Sequence, residues 1–200
     1  MAHISISNSK LGAIPTINLP PIITCREDAP CANGCYACKG RFRFKNVKES
    51  ALFNLFEWQN NPGEYERSVM DACVHYKFFR WHSSGDIPDP EYLDMMIRVA
   101  RAIPDTKFLC FTKKYELFND HRFVKGLPEN LIIVFSAWGN HLPENPYNMP
   151  VAYVRLKSGE GANHIPENAI RCSGYCNDCV KHEQNCWNLW FGESVVFDEH

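Results

Sequence analysis

Two cysteine-rich segments are the part of this sequence whose residue types and spacing are suited to chemistry. The first reads CREDAPCANGCYAC at residues 25–38, and the second reads CSGYCNDCVKHEQNC at residues 172–186. Two cysteines stand apart from them: Cys73 lies on the apolar face of a predicted helix and Cys110 within an apolar strand, where a thiol packs as a small hydrophobic group. The others form a first thiol set, Cys25, Cys31, Cys35 and Cys38, and a second thiol set, Cys172, Cys176, Cys179 and Cys186.

The redox conditions of the cellular compartment determine whether these cysteines form disulfides or bind metal. The first 24 residues lack a basic head followed by an unbroken apolar run, and no apolar run reaches the roughly 18 residues of a membrane span. We therefore expect a cytoplasmic protein without a membrane partner. Because thiols stay reduced in that compartment, two compact sets of cysteines predict metal binding rather than disulfides.

The ligand type narrows the choice of metal. Soft thiolates suit iron-sulfur clusters and zinc. The second set follows C-x3-C-x2-C-x6-C, which predicts a 4Fe-4S cluster with four cysteine ligands, and a structural zinc site is the alternative. Eight thiolates suffice for two clusters, which is our expectation. A single cluster that takes ligands from both segments stays open.

The segments between the two sets alternate between strand and helix patterns. Extended or strand patterns occur at TINLPPIIT, KFFRWHSS, TKFLCFT, NLIIVFSAW and VAYVRL, and helix patterns at VKESALFNLFEW, around Tyr65 to Tyr76, after Asp89 and Pro90, and at KKYELFNDHRFV. Continuous apolar strands separated by helices predict an α/β fold with a parallel sheet. About five strands are too few for a closed eight-stranded barrel, so we expect an open, partial βα-barrel-like sheet.

The domain assignment follows from a change in composition. Residues 1–157 are predicted to form the βα domain, with the cluster loop at 25–38. Residues 158–200 are rich in Gly, Pro, Asn and Cys and show little periodicity. We expect them to form a Cys-rich C-terminal extension of loops packed on the same domain. The composition, 45% hydrophobic and 22% charged, suits one continuous core.

Polar loops follow the predicted strands and should meet at one rim of the sheet, where parallel αβ proteins place their chemistry. HSSGD at 82–86 contains Asp86, a candidate catalytic carboxylate, and His82, which is either a site residue or a core histidine. The next loops offer Lys113, Lys114, Trp138, Asn140 and His141, although exposed lysines often have no specific role. Trp187 and Trp190 are expected to cover a cluster against solvent.

The spacing of Cys31, Cys35 and Cys38, C-x3-C-x2-C, resembles the signature of radical S-adenosylmethionine (SAM) enzymes. That resemblance implies a 4Fe-4S cluster with one iron open to SAM, and it implies that Ser84, Gly85 and Asp86, with Tyr36, contact the cofactor. The segments CYACKGRF and RWHSSGD are similar to segments of small radical-SAM-like proteins of phages and bacteria. The family's acidic loop motif has two glycines and a glutamate, whereas SSGD has one glycine and an aspartate.

Three functions remain open. The first is a radical-SAM-like redox enzyme with an electron-donor protein and an unknown small-molecule or peptide substrate. The second is a non-catalytic electron-transfer or redox-sensing protein, which requires that Cys25 close the first cluster. The third is a zinc-stabilised nucleic-acid module that uses the segment KGRFRFKNVK at 39–48. The preferred interpretation of that segment is a solvated strand whose aromatic side chains point inward. Its cations could also offset the negative charge of a cluster.

Overall fold

A computed structural model of the protein describes residues 1–6, 8–119, 125–183 and 185–199. The strands are β1 (Ile4–Ser5), β2 (Thr16–Ile17), β3 (Phe78–Trp81), β4 (Lys107–Thr112), β5 (Leu131–Ser136), β6 (Val151–Arg155), β7 (Ile170–Arg171) and β8 (Ser194–Asp198). The α-helices are α1 (Lys45–Asn60), α2 (Pro62–Cys73), α3 (Pro90–Ala102), α4 (Tyr115–Asn119) and α5 (Cys176–Cys179). Short 3-10 helices span Ala32–Gly34, Tyr36–Cys38, Gly40–Arg43, Ala162–His164 and Cys186–Asn188.

The strands form one sheet of eight in the order β1-β2-β3-β4-β5-β6-β8-β7, which does not close. Every neighbouring pair is parallel except β1 with β2. The predicted α/β class with a parallel sheet is therefore confirmed. The prediction of loops alone after residue 157 is wrong, because β7 and β8 add two strands at the edge beside β6. Both strands are short and are separated by a cysteine-rich segment, so neither shows a clear periodicity in the sequence.

The sheet is buried on both faces, as its apolar strands predict. On the helix face, Phe108 and Cys110 of β4 pack in the core that includes residues of α1, α2, α3 and α4. On the opposite face, which we call the cysteine face, Leu109 packs with Cys176 and Cys186 of the second thiol set, and Phe111 borders that core. Alternation along a strand explains the division, since successive side chains point to opposite faces.

The helix boundaries follow local signals. Asp89 caps α3 by accepting a hydrogen bond from Tyr92 N at 2.7 Å, and Pro90 is the first helical residue, as predicted.

The strand predicted for residues 39–48 is wrong: Gly40–Arg43 is a 3-10 helix and α1 begins at Lys45. Gly40 has a positive φ of 52°, which interrupts an extended chain. The predicted helix KKYELFNDHRFV is confirmed over Tyr115–Asn119, and its residues 120–124 lie outside the described residues.

The isolated cysteines are core residues. Cys73 of α2 and Cys110 of β4 are fully buried on the helix face, and burial raises the pKa of both thiols. This confirms their predicted packing role. None of the helices in the described part of the chain has the length and apolar character that crossing a membrane requires.

Candidate metal and active site

The first thiol set lies on two 3-10 helices and the loop that precedes them, at the carboxyl end of β2. Cys31 and Cys35 flank Ala32–Gly34, and Cys38 ends Tyr36–Cys38. Cys25 interacts electrostatically with both Cys31 and Cys35, and Cys35 hydrogen-bonds the Cys38 side chain. All four are free thiols, and Cys38 is exposed. The fold therefore gathers the four cysteines of this set.

Burial keeps part of this set protonated. It raises the pKa of the Cys25 thiol to about 11, and it also raises the pKa of Cys35. A metal must displace these protons, because the thiolate is the ligand form. Binding of a thiophilic metal here would therefore release protons and strengthen as the pH rises.

The loop after β3, Ser83 to Asp86, packs against the segment that leads to the first thiol set. The Asn18 side-chain oxygen accepts hydrogen bonds from Ser83 N at 2.8 Å and Ser84 N at 3.2 Å, and the Ser84 hydroxyl donates to Leu19 O at 3.0 Å. Gly85 has a φ of 77°, and a Cβ there would lie 2.6 Å from Leu19 O. Only glycine fits this close approach of two backbones.

Tyr36 joins this loop to the cysteines. Its hydroxyl donates to Ser83 O at 2.6 Å, while 54% of the residue surface stays exposed. Burial of the hydroxyl end raises its pKa, although the charge of Arg80 opposes the shift. Tyr36, Ser84 and Gly85, predicted to contact a cofactor, thus meet beside the first thiol set.

Asp86 is buried and its carboxylate is fully engaged. One oxygen accepts from the Thr112 hydroxyl at 2.6 Å and from Ile87 N at 2.8 Å, and the other accepts from Lys113 N at 2.8 Å. Burial raises its pKa, and these three hydrogen bonds oppose that shift. The structure therefore places Asp86 at the rim, where it ties the loop after β3 to the end of β4.

His82 lies under the rim in a buried aromatic group. Its Nε2 lies 3.1 Å from the Tyr92 hydroxyl, and its Nδ1 has no hydrogen-bond partner among the described residues. Burial lowers its pKa to about 3, so the imidazole is neutral at physiological pH. Its φ of 57° is unusual for a residue with a side chain. The location favours the core interpretation that the sequence left open.

Of the remaining rim candidates, Lys113 and Trp138 lie close to each other, and the other three are Lys114, Asn140 and His141. Lys113 Nζ contacts Ser136 Oγ at 2.6 Å and lies 6.0 Å from the Trp138 ring centroid. A Cβ at Gly34 would lie 4.0 Å from the Trp138 ring, so this ring borders the first thiol set. Lys114 contributes its backbone N–H to Thr112 Oγ1, and Asn140 and His141 are exposed.

The second thiol set covers the cysteine face. Cys176 and Cys186 are buried in its core, and Cys172 packs against it. Cys186 interacts electrostatically with the other three cysteines of the set, so the fold also gathers these four thiols. Trp187 beside them is buried, with Nε1 3.4 Å from Phe79 O. Trp190 is 63% exposed and its ring meets Phe191 edge-on, so its role as a cover for a cluster stays a prediction.

Arg80 lies near residues of both cysteine-rich segments, and sequence reasoning missed it. It alternates with Phe79 and Trp81 of β3, so its side chain lies on the cysteine face, 4.2 Å from the Phe111 ring centroid. Its charge acts to lower the pKa of Tyr36 near the first thiol set and of Cys176 and Cys186 in the second. A cation inside an apolar strand was the available signal.

Among the described residues, no group of three or more His, Cys, Asp or Glu side chains has an arrangement that would hold a metal ion.

Comparisons with known proteins give one result, a match to a protein family. Searches of curated proteins and of solved structures give no match. A protein-family model described as Gene product 88 matches residues 3–186, which include both thiol sets. The chain belongs to the Gene product 88 family.

Proposed function

We propose that this protein is an iron-sulfur protein with two 4Fe-4S clusters and acts as a radical-SAM-like redox enzyme. Cys31, Cys35 and Cys38 would hold the first cluster, with Cys25 beside them, and the second thiol set would hold the other. The observation that carries the proposal is the gathering of eight free thiols into two sets, four in each. Cluster thiolates bind different irons and need not converge on one point, so the donor sets suit this group.

The sheet supports the comparison with a partial βα barrel. Strands β2 to β6 are neighbours in sequential order, and the long helices pack on one face. Phe111 of β4 and Phe197 of β8 have ring centroids only 5.5 Å apart, although β5 and β6 lie between their strands. In a flat sheet, three strand spacings of about 4.8 Å would place β4 and β8 about 14 Å apart. We infer that the sheet curls around the cysteine face.

Cys31, Cys35 and Cys38 would hold a cluster with one open iron, which would supply one electron to SAM, so that the S–C5′ bond breaks to give methionine and a 5′-deoxyadenosyl radical. The chain's own residues would position the cofactor. Tyr36 holds the loop of Ser84 and Gly85 against the first thiol set, and Asp86 fixes that loop to β4. Trp138 and Lys113 border the same rim. His82, neutral and buried, would position Tyr92 rather than transfer a proton.

The alternative is a non-catalytic electron-transfer or redox-sensing protein. The proximity of Cys25 to Cys31 and Cys35 favours it, because a fourth thiolate would close the first cluster. The weaker alternative is a zinc-stabilised nucleic-acid module, which is favoured by one observation: all five cations of residues 39–48 are exposed. These are Lys39, Arg41, Arg43, Lys45 and Lys48.

The proposal also covers location and partners. Ten free cysteines suit a reducing cytoplasm, and an electron-donor protein would reduce the first cluster. The exposed Cys38 places one thiol of that set within reach of such a donor. The substrate would be a small molecule or a peptide that reaches the rim.

The test is anaerobic purification followed by counts of iron, acid-labile sulfide and zinc, with EPR of the reduced protein before and after SAM. We expect about eight irons per chain, from two clusters of four, and a spectrum that SAM perturbs. Cys31→Ala and Cys176→Ala should each remove about four irons, whereas the matched control Cys73→Ala should remove none. Zinc without iron would refute the iron-sulfur proposal.

The Cys25→Ala variant separates the two iron-sulfur functions. If it keeps eight irons and the spectral response to SAM, three cysteines hold the first cluster and the enzyme proposal stands. If it loses the first cluster, and the wild-type spectrum ignores SAM, the protein transfers or senses electrons.

A further inference from the structure

Two cations on the cysteine face, Arg80 and Lys10, have no anionic partner among the described residues. Arg80 donates its Nε–H to Trp81 O at 3.1 Å, and no described residue accepts a hydrogen bond from its two terminal amino groups. Lys10 Nζ lies 4.7 Å from the Phe197 ring centroid and makes no ion pair with a described residue. Both side chains are partly buried. Each of these partly buried cations is held by an aromatic ring and not by a counter-charge, so its remaining N–H donors stay available to an anion.

The two cations form one group. Arg80 lies on the Phe111 ring, Phe111 contacts Phe197 edge-on at 5.5 Å, and Lys10 lies on Phe197. The two aromatic rings thus hold a guanidinium and an ammonium on the same face of the sheet. Both cations are near enough to Cys176 to act on its thiol, and Arg80 also acts on Tyr36 near the first set. All four side chains of the group keep some contact with solvent.

We propose that Arg80 and Lys10 form an anion-binding site on the cysteine face that takes the carboxylate or phosphate group of a ligand. The planar guanidinium offers a fork of N–H donors that matches either group, and the ammonium adds a second positive charge. The rings position both cations before the ligand arrives, which reduces the ordering that binding requires. This inference goes beyond the proposed function, because it holds whichever metal the thiols bind.

A competing role for the same cations is to offset the charge of metal-bound thiolates in the second set. The two roles differ in what a substitution changes. An anion site loses affinity for an added anion, whereas a counter-charge for the thiolates changes the metal content of the protein. The experiment therefore measures both quantities on each variant.

Inorganic phosphate is the probe, titrated into the purified, metal-loaded protein by isothermal calorimetry at low ionic strength. We expect saturable binding that weakens as salt is added. Arg80→Gln should weaken it roughly tenfold or more, the loss expected for a charge-assisted hydrogen bond, and Arg80→Lys should recover part of the affinity. Lys10→Gln, on a surface loop, tests the site without changing a strand.

Arg171→Gln is the matched control. It removes the same charge from an arginine that already pairs with Asp198 at 3.1 Å, and phosphate affinity should not change. Absence of saturable binding to the wild-type protein would overturn the proposal, as would equal affinity in Arg80→Gln and Arg171→Gln. Loss of metal from Arg80→Gln with unchanged phosphate affinity would assign the cations to the thiolates and would also overturn it. Because iron is counted separately, this failure is distinct from failure of the iron-sulfur proposal.

Discussion

The close approach of the loops at Gly85 gives the sharpest prediction, since the chain contains its own control. Gly85 and Gly40 both have positive φ values, 77° and 52°, which side chains disfavour. A Cβ at Gly85 would lie 2.6 Å from Leu19 O and 2.7 Å from Thr24 Oγ1, whereas a Cβ at Gly40 would have no heavy atom within 4 Å. Alanine would meet an unfavourable positive φ at both positions, but only at position 85 would its Cβ also be crowded by neighbouring atoms.

The magnitudes follow from these two contributions. The left-handed backbone alone should destabilise Gly40→Ala by about 1 kcal/mol. Gly85→Ala carries the same contribution plus overpacking against backbone, about 1–3 kcal/mol, for a total of about 2–4 kcal/mol. With a urea m-value of about 2 kcal/mol/M, the difference between the variants corresponds to a midpoint shift of about 0.5–1.5 M.

Urea unfolding followed by far-UV circular dichroism measures this difference. Equal destabilisation of the two variants would refute the packing of the loop after β3 against residues 19–24, and with it the positioning of Ser84 and Gly85 beside the first thiol set. A changed m-value would indicate instead that a substitution alters the compactness of the unfolded or native state, or that unfolding is no longer two-state.

Two further predictions concern the rim. Burial lowers the pKa of His82 in the folded protein to about 3, so as the pH falls this histidine is protonated in the unfolded chain before it is protonated in the folded one. The contribution of His82 to the free energy of unfolding is therefore fully present above about pH 6.5 and is lost as the pH falls towards 3. His82→Asn, which tolerates the positive φ, should flatten this part of the stability profile, and an unchanged profile would contradict the buried neutral imidazole. Asp86→Ala leaves the Thr112 hydroxyl and Lys113 N without their acceptor and should destabilise the fold by about 2–5 kcal/mol in the same urea assay. Asp86→Asn, which keeps one acceptor oxygen, should lose less, and an equal loss in both variants would argue against these hydrogen bonds.

Periodicity predicted the main elements because their local and tertiary preferences agree. β4 is apolar over residues 108–111 and β5 over residues 131–135 because both of their faces are covered. Asp89 with Pro90 marks the start of α3 in any environment. β8 was missed because a strand of five residues after a cysteine-rich segment is too short to carry a clear pattern of its own, and β6 supplies its partner. The strand predicted around Phe42 failed since the turn at Gly40 and the start of α1 outweigh alternation.

The sequence by itself determined which residues could do chemistry, because the spacing of Cys31, Cys35 and Cys38 keeps three thiols on one short loop in any fold. It also determined the class of fold, since covered strands must be apolar on both faces. Only the tertiary structure decided that the Asp86 carboxylate accepts hydrogen bonds from Thr112 and Lys113, and that Arg80 lies near residues of both cysteine-rich segments, which are far apart in the chain. Those are contacts between distant segments, and no local pattern encodes which side chains the folded sheet brings together.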